Sequence, residues 1–349
     1  MSRTPVLERR PEGLYCPAGD FYIDPWRSVE RAVVTHGHSD HARWGMGRYL
    51  ASEASVPILR ARLGPEASVR GVPYGESFSI GGAKVSLHPA GHIVGSAQVR
   101  VEVDGEVWAV SGDYKTEPDG TSTAWEPVRC HGFVTETTFG LPVYRWRPQP
   151  EVLADIAAWW AANRAAGVAS ILCAYALGKA QRLIAGLAGH GPVVVHGSVA
   201  AMNRACAEAG LELPPWQTVA EFAEQGGANR PEWSEALVVC PPSAIGSPWV
   251  RRFGDASVAF ASGWMAIRGI RRRRGVDRGF VLSDHVDWPS LMAAIRQTGA
   301  EKVWTTHGYA HVVARHLVEL GYDAQPLDTE FAGEEEPETP SSDGETVDA

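Results

Sequence analysis

The sequence has no apolar run near the ~20 residues that a membrane-spanning helix needs. Its 44% apolar content is therefore read as globular core. The five cysteines (Cys16, Cys130, Cys173, Cys206 and Cys240) are dispersed and include no CxxC pair. That argues against a disulfide framework and a thiolate zinc site, and fits a reducing compartment. The opening stretch MSRTPVLERRPEG lacks a signal-peptide core, so a cytoplasmic protein with no membrane partner is expected. No internal repeat of fixed period is visible.

Basic residues are missing from the end of the sequence, where acids are concentrated. Between Asp328 and Ala349 there is no Lys or Arg and there are nine acids, which account for the whole formal charge of −9 and leave residues 1–327 neutral. Rich in Pro, Glu and Ser and nearly free of large apolar groups, this tail is expected to be disordered. Against the neutral body stands IRGIRRRRGVDR, residues 267–278, with six arginines and one aspartate. A nucleic-acid partner is therefore compatible with the charge.

The first 140 residues read as short strands: FYID, AVVT, KVSLH, VRVEV and VWAVS, with Asp104-Gly105 as a two-residue hairpin signal between the last two. From Pro150 the texture changes to alternating helices and strands, beginning with EVLADIAAWWAANRAAG and ASILCA, which implies βα units around a mostly parallel sheet. After the arginines, GFVLSDH and KVWTTHG return to the earlier style. The organisation expected is an α/β (α+β) chain with a first part at 1–140, an insertion at 141–279, a completion of the first domain at 280–327, and the acidic tail at 328–349.

The chemistry-bearing residues cluster just after strands. Asp24 follows YI; His36, His38, Asp40 and His41 fill VVTHGHSDH; His92, Asp113, Glu136, His285 and His307 close later apolar runs. Strand ends of a layered fold can converge on one face. If the HxHxDH stretch is extended, alternation points His36, His38 and Asp40 one way and His41 the other. One metal cannot easily take all four, whereas two adjacent metals can. The assignment expected is His36, His38 and His92 on one ion, Asp40, His41 and His307 on the second, and Asp113 bridging. Imidazole and carboxylate donors suit zinc, and a His/Asp mix also suits manganese. Such a pair activates a bridging hydroxide and clamps the oxygens of an in-line displacement at phosphorus. His131, His190, His311 and His316 are read as structural or surface histidines, and His88 as structural or a support to a ligand.

HxHxDH followed by AGH and GD resembles the metallo-β-lactamase fold, an αββα sandwich. ETTFG, LSDHVDW and TTHG are similar to the extra motifs of the β-CASP nucleases, the branch containing RNase J, the cleavage-and-polyadenylation endonuclease and the crosslink-repair exonucleases. An α/β insertion between the first two of those motifs matches the texture change, and ALGKAQ resembles the branch's helix start. GLYCPAGDFYIDPWR, VSGDYKTEPD, FGLPVYRW, FASGWM and DRGFVLSDH resemble the bacterial DNA ligase-associated exonucleases. The resemblance covers nearly all of residues 11–327. It implies that Asp24 orients the HxHxDH loop from behind, that His285 is the general acid polarised by Glu136, and that Asp40, Glu136 and His285 form the catalytic set. It further implies a two-metal DNA exonuclease that prefers single strands, works from the 5′ end, and is linked to an ATP-dependent DNA ligase and a helicase in repair.

A polyanionic substrate calls for donors beyond the metals. Gly178 and Lys179 at a helix start are candidates, as are Ser262 and Gly263, Lys115, and Arg271, Arg272, Arg273 and Arg274, which suit backbone tracking rather than sequence reading. Trp264 is read as core. The rival readings are an RNA-processing β-CASP nuclease, a small-ester or β-lactam hydrolase, and an inactive DNA-binding scaffold. The insertion and the Glu136/His285 pair argue against the second, and the complete ligand set argues against the third.

Overall fold

The computed structural model describes residues 4–225, 232–267 and 275–330. The arginines at 271–274 and the tail at 331–349 lie outside the described residues. Strands β1 (Glu8–Arg10), β2 (Gly13–Cys16), β3 (Phe21–Ile23), β4 (Arg31–Val33), β5 (Arg48–Ser52) and β6 (Val69–Val72) form one sheet in chain order, parallel from β3 onward. Helix α1 (Val56–Leu63) joins β5 to β6. It lays Leu59 and Leu63 on the outer face of that sheet, against Ala32, Val34, Tyr49 and Ala51.

β7 (Ser77–Ile80), β8 (Ala83–Pro89), β9 (Ala97–Val103) and β10 (Glu106–Val110) build a second sheet by antiparallel pairing. The β9–β10 turn is Asp104-Gly105, with φ of 49° and 79°. A turn with positive φ at both central residues matches the strands' own twist, which is why the dipeptide signals a hairpin. β11 (Gly132–Glu136) then joins β10 in parallel. The two sheets face each other across Leu14, Phe21, Ile23 and Val33 on one side and Val85, Leu87, Val99, Val101 and Val134 on the other.

After β11 the chain leaves this pair of sheets and builds a third. Helices α2 (Gln149–Ala165), α3 (Lys179–Gly186), α4 (Gly197–Glu208), α5 (Val219–Gln225) and α6 (Pro248–Arg251) alternate with β12 (Ala169–Cys173), β13 (Val193–Val195), β14 (Gln217–Thr218), β15 (Leu237–Cys240), β16 (Ala256–Ala261) and β17 (Arg278–Phe280). All six strands pair in parallel, in the order β14-β13-β15-β12-β16-β17. The unbroken apolar runs SILC, VVV and LVVC fit a sheet buried on both faces. α2, α3 and α4 cover one face, and a cluster around Phe139, Tyr144, Phe253 and Trp264 covers the other. Ile58 on α1 meets Met202, Ala205 and Cys206 on α4, docking this unit on the first layer.

The chain then returns to the second sheet. α7 (Trp288–Thr298) precedes β18 (Lys302–Thr306), which pairs in parallel with β11, and α8 (Ala310–Glu319) precedes β19 (Asp323–Pro326), which extends the edge. α7 and α8 pack Leu291, Ile295, Val313 and Leu317 on Val107, Ala109, Phe133 and Val303. The layer order is helix, sheet, sheet, helix, and no described helix is long and apolar enough to cross a membrane.

Candidate metal centre

β3, β4, β10, β11 and β18 all end at one rim, and each delivers a polar residue there: Asp24, His36, Asp113, Glu136 and His307. The HxHxDH segment is not extended beyond His36, as the alternation argument assumed. His41 N–H and Ala42 N–H both donate to the His38 carbonyl, at 3.2 and 2.8 Å. This turn carries Asp40 round to stand beside His41. Among the described non-glycine residues four have positive φ, and two are in the site: Asp24 at 43° and His307 at 60°. Such geometry costs about 1–3 kcal/mol and persists where the surroundings over-determine it. Asp24 is locked by Thr35 N–H (2.7 Å), the Thr35 hydroxyl (2.5 Å) and His41 Nδ1–H (2.8 Å). The His307 carbonyl accepts the Thr137 hydroxyl at 2.6 Å. Gly112 is also required: a Cβ there would stand 2.6 Å from Thr35, the residue that joins Asp24 to His36.

The second nitrogen of each histidine fixes which one is basic. The Thr35 hydroxyl, its O–H already donated in a hydrogen bond to Asp24, accepts His36 Nδ1–H at 3.0 Å. His38 Nε2–H donates to the Leu177 carbonyl at 3.2 Å, and His92 Nδ1–H to the Asp284 carbonyl at 2.9 Å. The remaining nitrogens, His36 Nε2 and His92 Nε2, each stand 3.1 Å from His38 Nδ1. Three lone pairs at that separation repel, and a cation among them converts repulsion into ligation. Asp113 Oδ2 lies 3.4 Å from His36 Nε2 and 3.7 Å from His92 Nε2.

A second group adjoins. His41 donates its Nδ1–H to Asp24 in a hydrogen bond and turns Nε2 toward Asp40 Oδ2 (3.8 Å) and Asp113 Oδ1 (3.5 Å). His307 stacks on His41 with centroids 5.1 Å apart. The candidate ligand atoms of His36, His38, His92 and Asp113 lie within 4.8 Å of one another, as do those of Asp40, His41 and His307. Asp113 thus offers one oxygen to each group, and such hard and borderline donors fit two divalent ions.

Charge follows the same division. Burial, then His41, hold His36 well below the usual imidazole range, and burial with His92 pushes His38 down to about 4. Burial also lowers His92 and His307. Burial opposes charge on His41 too, but Asp113, Asp40 and Asp24 outweigh it and raise that ring well above its usual value. Asp113 is likewise penalised by burial, yet His41 and His285 keep it well below the carboxylate range. Neutral imidazoles and ionised carboxylates are the forms that bind metal.

Beside the two groups, His285 Nδ1 sits 3.0 and 2.8 Å from the two oxygens of Glu136. Glu136 Oε1 also accepts Tyr114 N–H at 2.8 Å, and the His285 ring is 4.7 Å from that of His92. Glu136 is buried rather than an exposed strand-end acid.

The other sequence candidates fall elsewhere. The Gly178 amide donates to the Gln181 side chain at 2.6 Å, and Lys179 is fully buried with Nζ 3.4 Å from Asp284 Oδ2. Lys115 is buried and pairs with Glu117 at 3.3 Å. Burial and Arg182 lower its pKa. The Ser262 hydroxyl accepts Trp264 N–H, and a Cβ on Gly263 would strike Phe139. Gly263 sits one ring behind His285, since Phe139 lies 5.8 Å from it. Trp264 is core, and His88 pairs with Glu126 and Ser86. Sequence reasoning missed Thr35, Arg182 and Asp284, whose roles depend on tertiary partners. It also missed Trp44, which is 65% exposed three positions after His41 and could have been noticed as an aromatic in that loop.

No family model matches the chain. A protein named probable DNA ligase from Opitutus terrae is 31% identical over 89% of this chain and 30% of its own length. The endoribonuclease ysh-1 of Neurospora crassa is 27% identical over 33% of this chain and 14% of its own. The chain therefore spans less than a third of either relative. A solved structure of a protein of unknown function from Enterococcus faecalis matches with a TM-score of 0.57 and 11% identity, over 86% of this chain and 79% of that one, a likeness of fold.

Proposed function

We propose, from the similarity to these nuclease and ligase-named proteins, that the chain is a β-CASP nuclease of the metallo-β-lactamase fold and, within that class, a two-metal DNA exonuclease, preferring single strands, working from the 5′ end and acting alongside a DNA ligase in repair. The observation that carries the reading is Asp113, buried between two ligand groups with one oxygen toward each. The four layers are taken as the αββα sandwich and the third sheet as its β-CASP insertion at 141–279. Five free cysteines fit a cytoplasmic site of action.

His36, His38, His92 and Asp113 would hold one ion, and Asp40, His41, His307 and Asp113 the other. Zinc or manganese in these positions supplies an activated water and neutralises phosphoryl oxygens. Asp24 fixes the His41 ring, and the Thr35 hydroxyl fixes His36. Glu136 accepts Nδ1–H of His285 and orients the ring, so that Nε2–H would supply the proton that the leaving 3′-oxygen takes as the P–O3′ bond breaks. The products are a 5′-phosphate and a 3′-hydroxyl. Trp44, exposed on the metal loop, offers a face on which a base can stack.

Similarity to a protein named for a DNA ligase favours DNA, and similarity to one named as an endoribonuclease supports a second reading, RNA processing. The test is digestion of matched DNA and RNA strands labelled at either end, with zinc, manganese or magnesium, by the parent protein and Asp113→Ala. Metal-dependent shortening of DNA from the 5′ end, absent in the variant, supports the proposal. Cutting of RNA alone moves the protein to the second reading.

A further inference from the structure

Lys179 and Arg182 open α3, and both are buried: 0% and 2% exposed. Cations in such places are almost always paired. Here both meet Asp284, the residue before His285. Lys179 Nζ stands 3.4 Å from Asp284 Oδ2. Arg182 Nη1 donates to Asp284 Oδ1 at 2.8 Å and to the Ser283 carbonyl at 2.5 Å, while its Nε donates to Gln149. From the other side, the Asp284 carbonyl holds His92 Nδ1–H at 2.9 Å, and the Ser283 hydroxyl accepts His285 N–H at 3.1 Å. One short segment is thus gripped by two cations of the inserted unit, and in turn sets the ring of one metal-type histidine and the backbone of the proton donor.

We infer that Lys179 and Arg182 are positioning residues that act through Asp284 to fix His92 and His285, rather than contacts to the substrate phosphate. Their burial removes them from a strand passing over the surface. Taking away either cation leaves part of a buried carboxylate unbalanced, and the cheapest relief is a shift of the 283–285 backbone. That shift moves the acceptor of His92 Nδ1–H and tilts the nitrogen that faces His38.

The inference rests on the metal-centre reading, and its test separates the two. Lys179→Met, Arg182→Lys and Asp284→Asn are compared with the parent and with Lys179→Arg, the conservative rescue. Zinc affinity of the free protein is measured by chelator competition, kcat and KM on a labelled single strand, and the salt dependence of strand binding. Losing a support behind a metal ligand typically weakens metal binding or activity by about 10–100-fold. The expected result for Lys179→Met is a loss of zinc affinity and of kcat in that range, with KM within about twofold, the salt slope unchanged, and recovery in Lys179→Arg. A raised KM and a salt slope lower by about one phosphate, with zinc affinity intact, would make Lys179 a substrate contact and overturn the inference. Should Lys179→Met fail to fold, Asp284→Asn decides, since it keeps the carbonyl and removes only the charge: unchanged zinc affinity there overturns the inference as well. Zinc binding without nuclease activity in the parent would sink the proposed function and leave this test standing.

Discussion

Asp24 and His41 are joined by a 2.8 Å hydrogen bond from the ring Nδ1–H to a carboxylate held at a left-handed φ of 43°. The same carboxylate accepts two hydrogen bonds from Thr35, one from its N–H and one from its hydroxyl. Asp24→Asn turns an amide donor toward at least one of these N–H groups. The expected outcome is about 1–3 kcal/mol lower stability and about 10–100-fold weaker metal binding, read by denaturant unfolding and a zinc titration. Unchanged zinc affinity would remove Asp24 from the support of the loop.

Glu136 and His285 form one unit and are expected to fail as one. Glu136→Gln and His285→Ala should each lower kcat by about 10²–10⁴-fold with little change in KM. The double variant should be no worse than the poorer single one, because the role proposed for Glu136 is exercised through the ring it holds. Additive losses in single-turnover rates would give the two residues separate tasks.

Acid should destabilise the chelator-stripped protein. Burial keeps His36, His38, His92 and His307 from taking protons in the fold, His38 down to about 4, whereas an unfolded imidazole protonates below about 6.5. Between those values the unfolded chain binds more protons, so stability is complete above the upper one and falls as the pH drops toward the lower. His41 works the other way: its raised folded value adds stability below the unfolded one that is lost as pH rises through it. Four rings oppose one. The thermal midpoint in the presence of chelator should therefore be lower near pH 5 than at neutrality, and a higher midpoint in acid would show His41 dominating.

Trp44→Ala should weaken single-strand binding without slowing chemistry. Stacking contributes about 1–3 kcal/mol per base, so KM should rise at least about fivefold on single-stranded DNA while kcat stays within about twofold. Trp44→Phe should recover most of the loss. An equal effect on blunt duplex ends, where bases are already stacked, would contradict the assignment.

The sequence carried the parts of this site that depend on local order. HxHxDH packs its donors into one loop, so spacing alone separates them from scattered structural histidines, and Asp104-Gly105 announces its hairpin because positive φ is needed at both positions. The alternating texture after Pro150 corresponds to six parallel strands because buried strands and covering helices have different periods. What sequence could not show was direction in space. LGKAQ reads as a helix start with an exposed lysine, and only the packing of α3 against residues 283–285 turns Lys179 inward. Ser262 reads as a phosphate donor and instead caps its own turn. Asp284, next to a histidine already singled out, gains meaning only from two cations about a hundred positions upstream.

The return of the chain to its second sheet has a consequence for synthesis. β18 is laid beside β11 only after the whole third sheet has been made, and His307 follows it directly. A nascent chain that has emerged as far as Asp113 holds six of the seven proposed ligand residues but has neither His285 nor His307. A chain that stops short of residue 285 therefore lacks both the proposed proton donor and a complete second ligand group, so the proposed chemistry waits on the return of the chain to the second sheet.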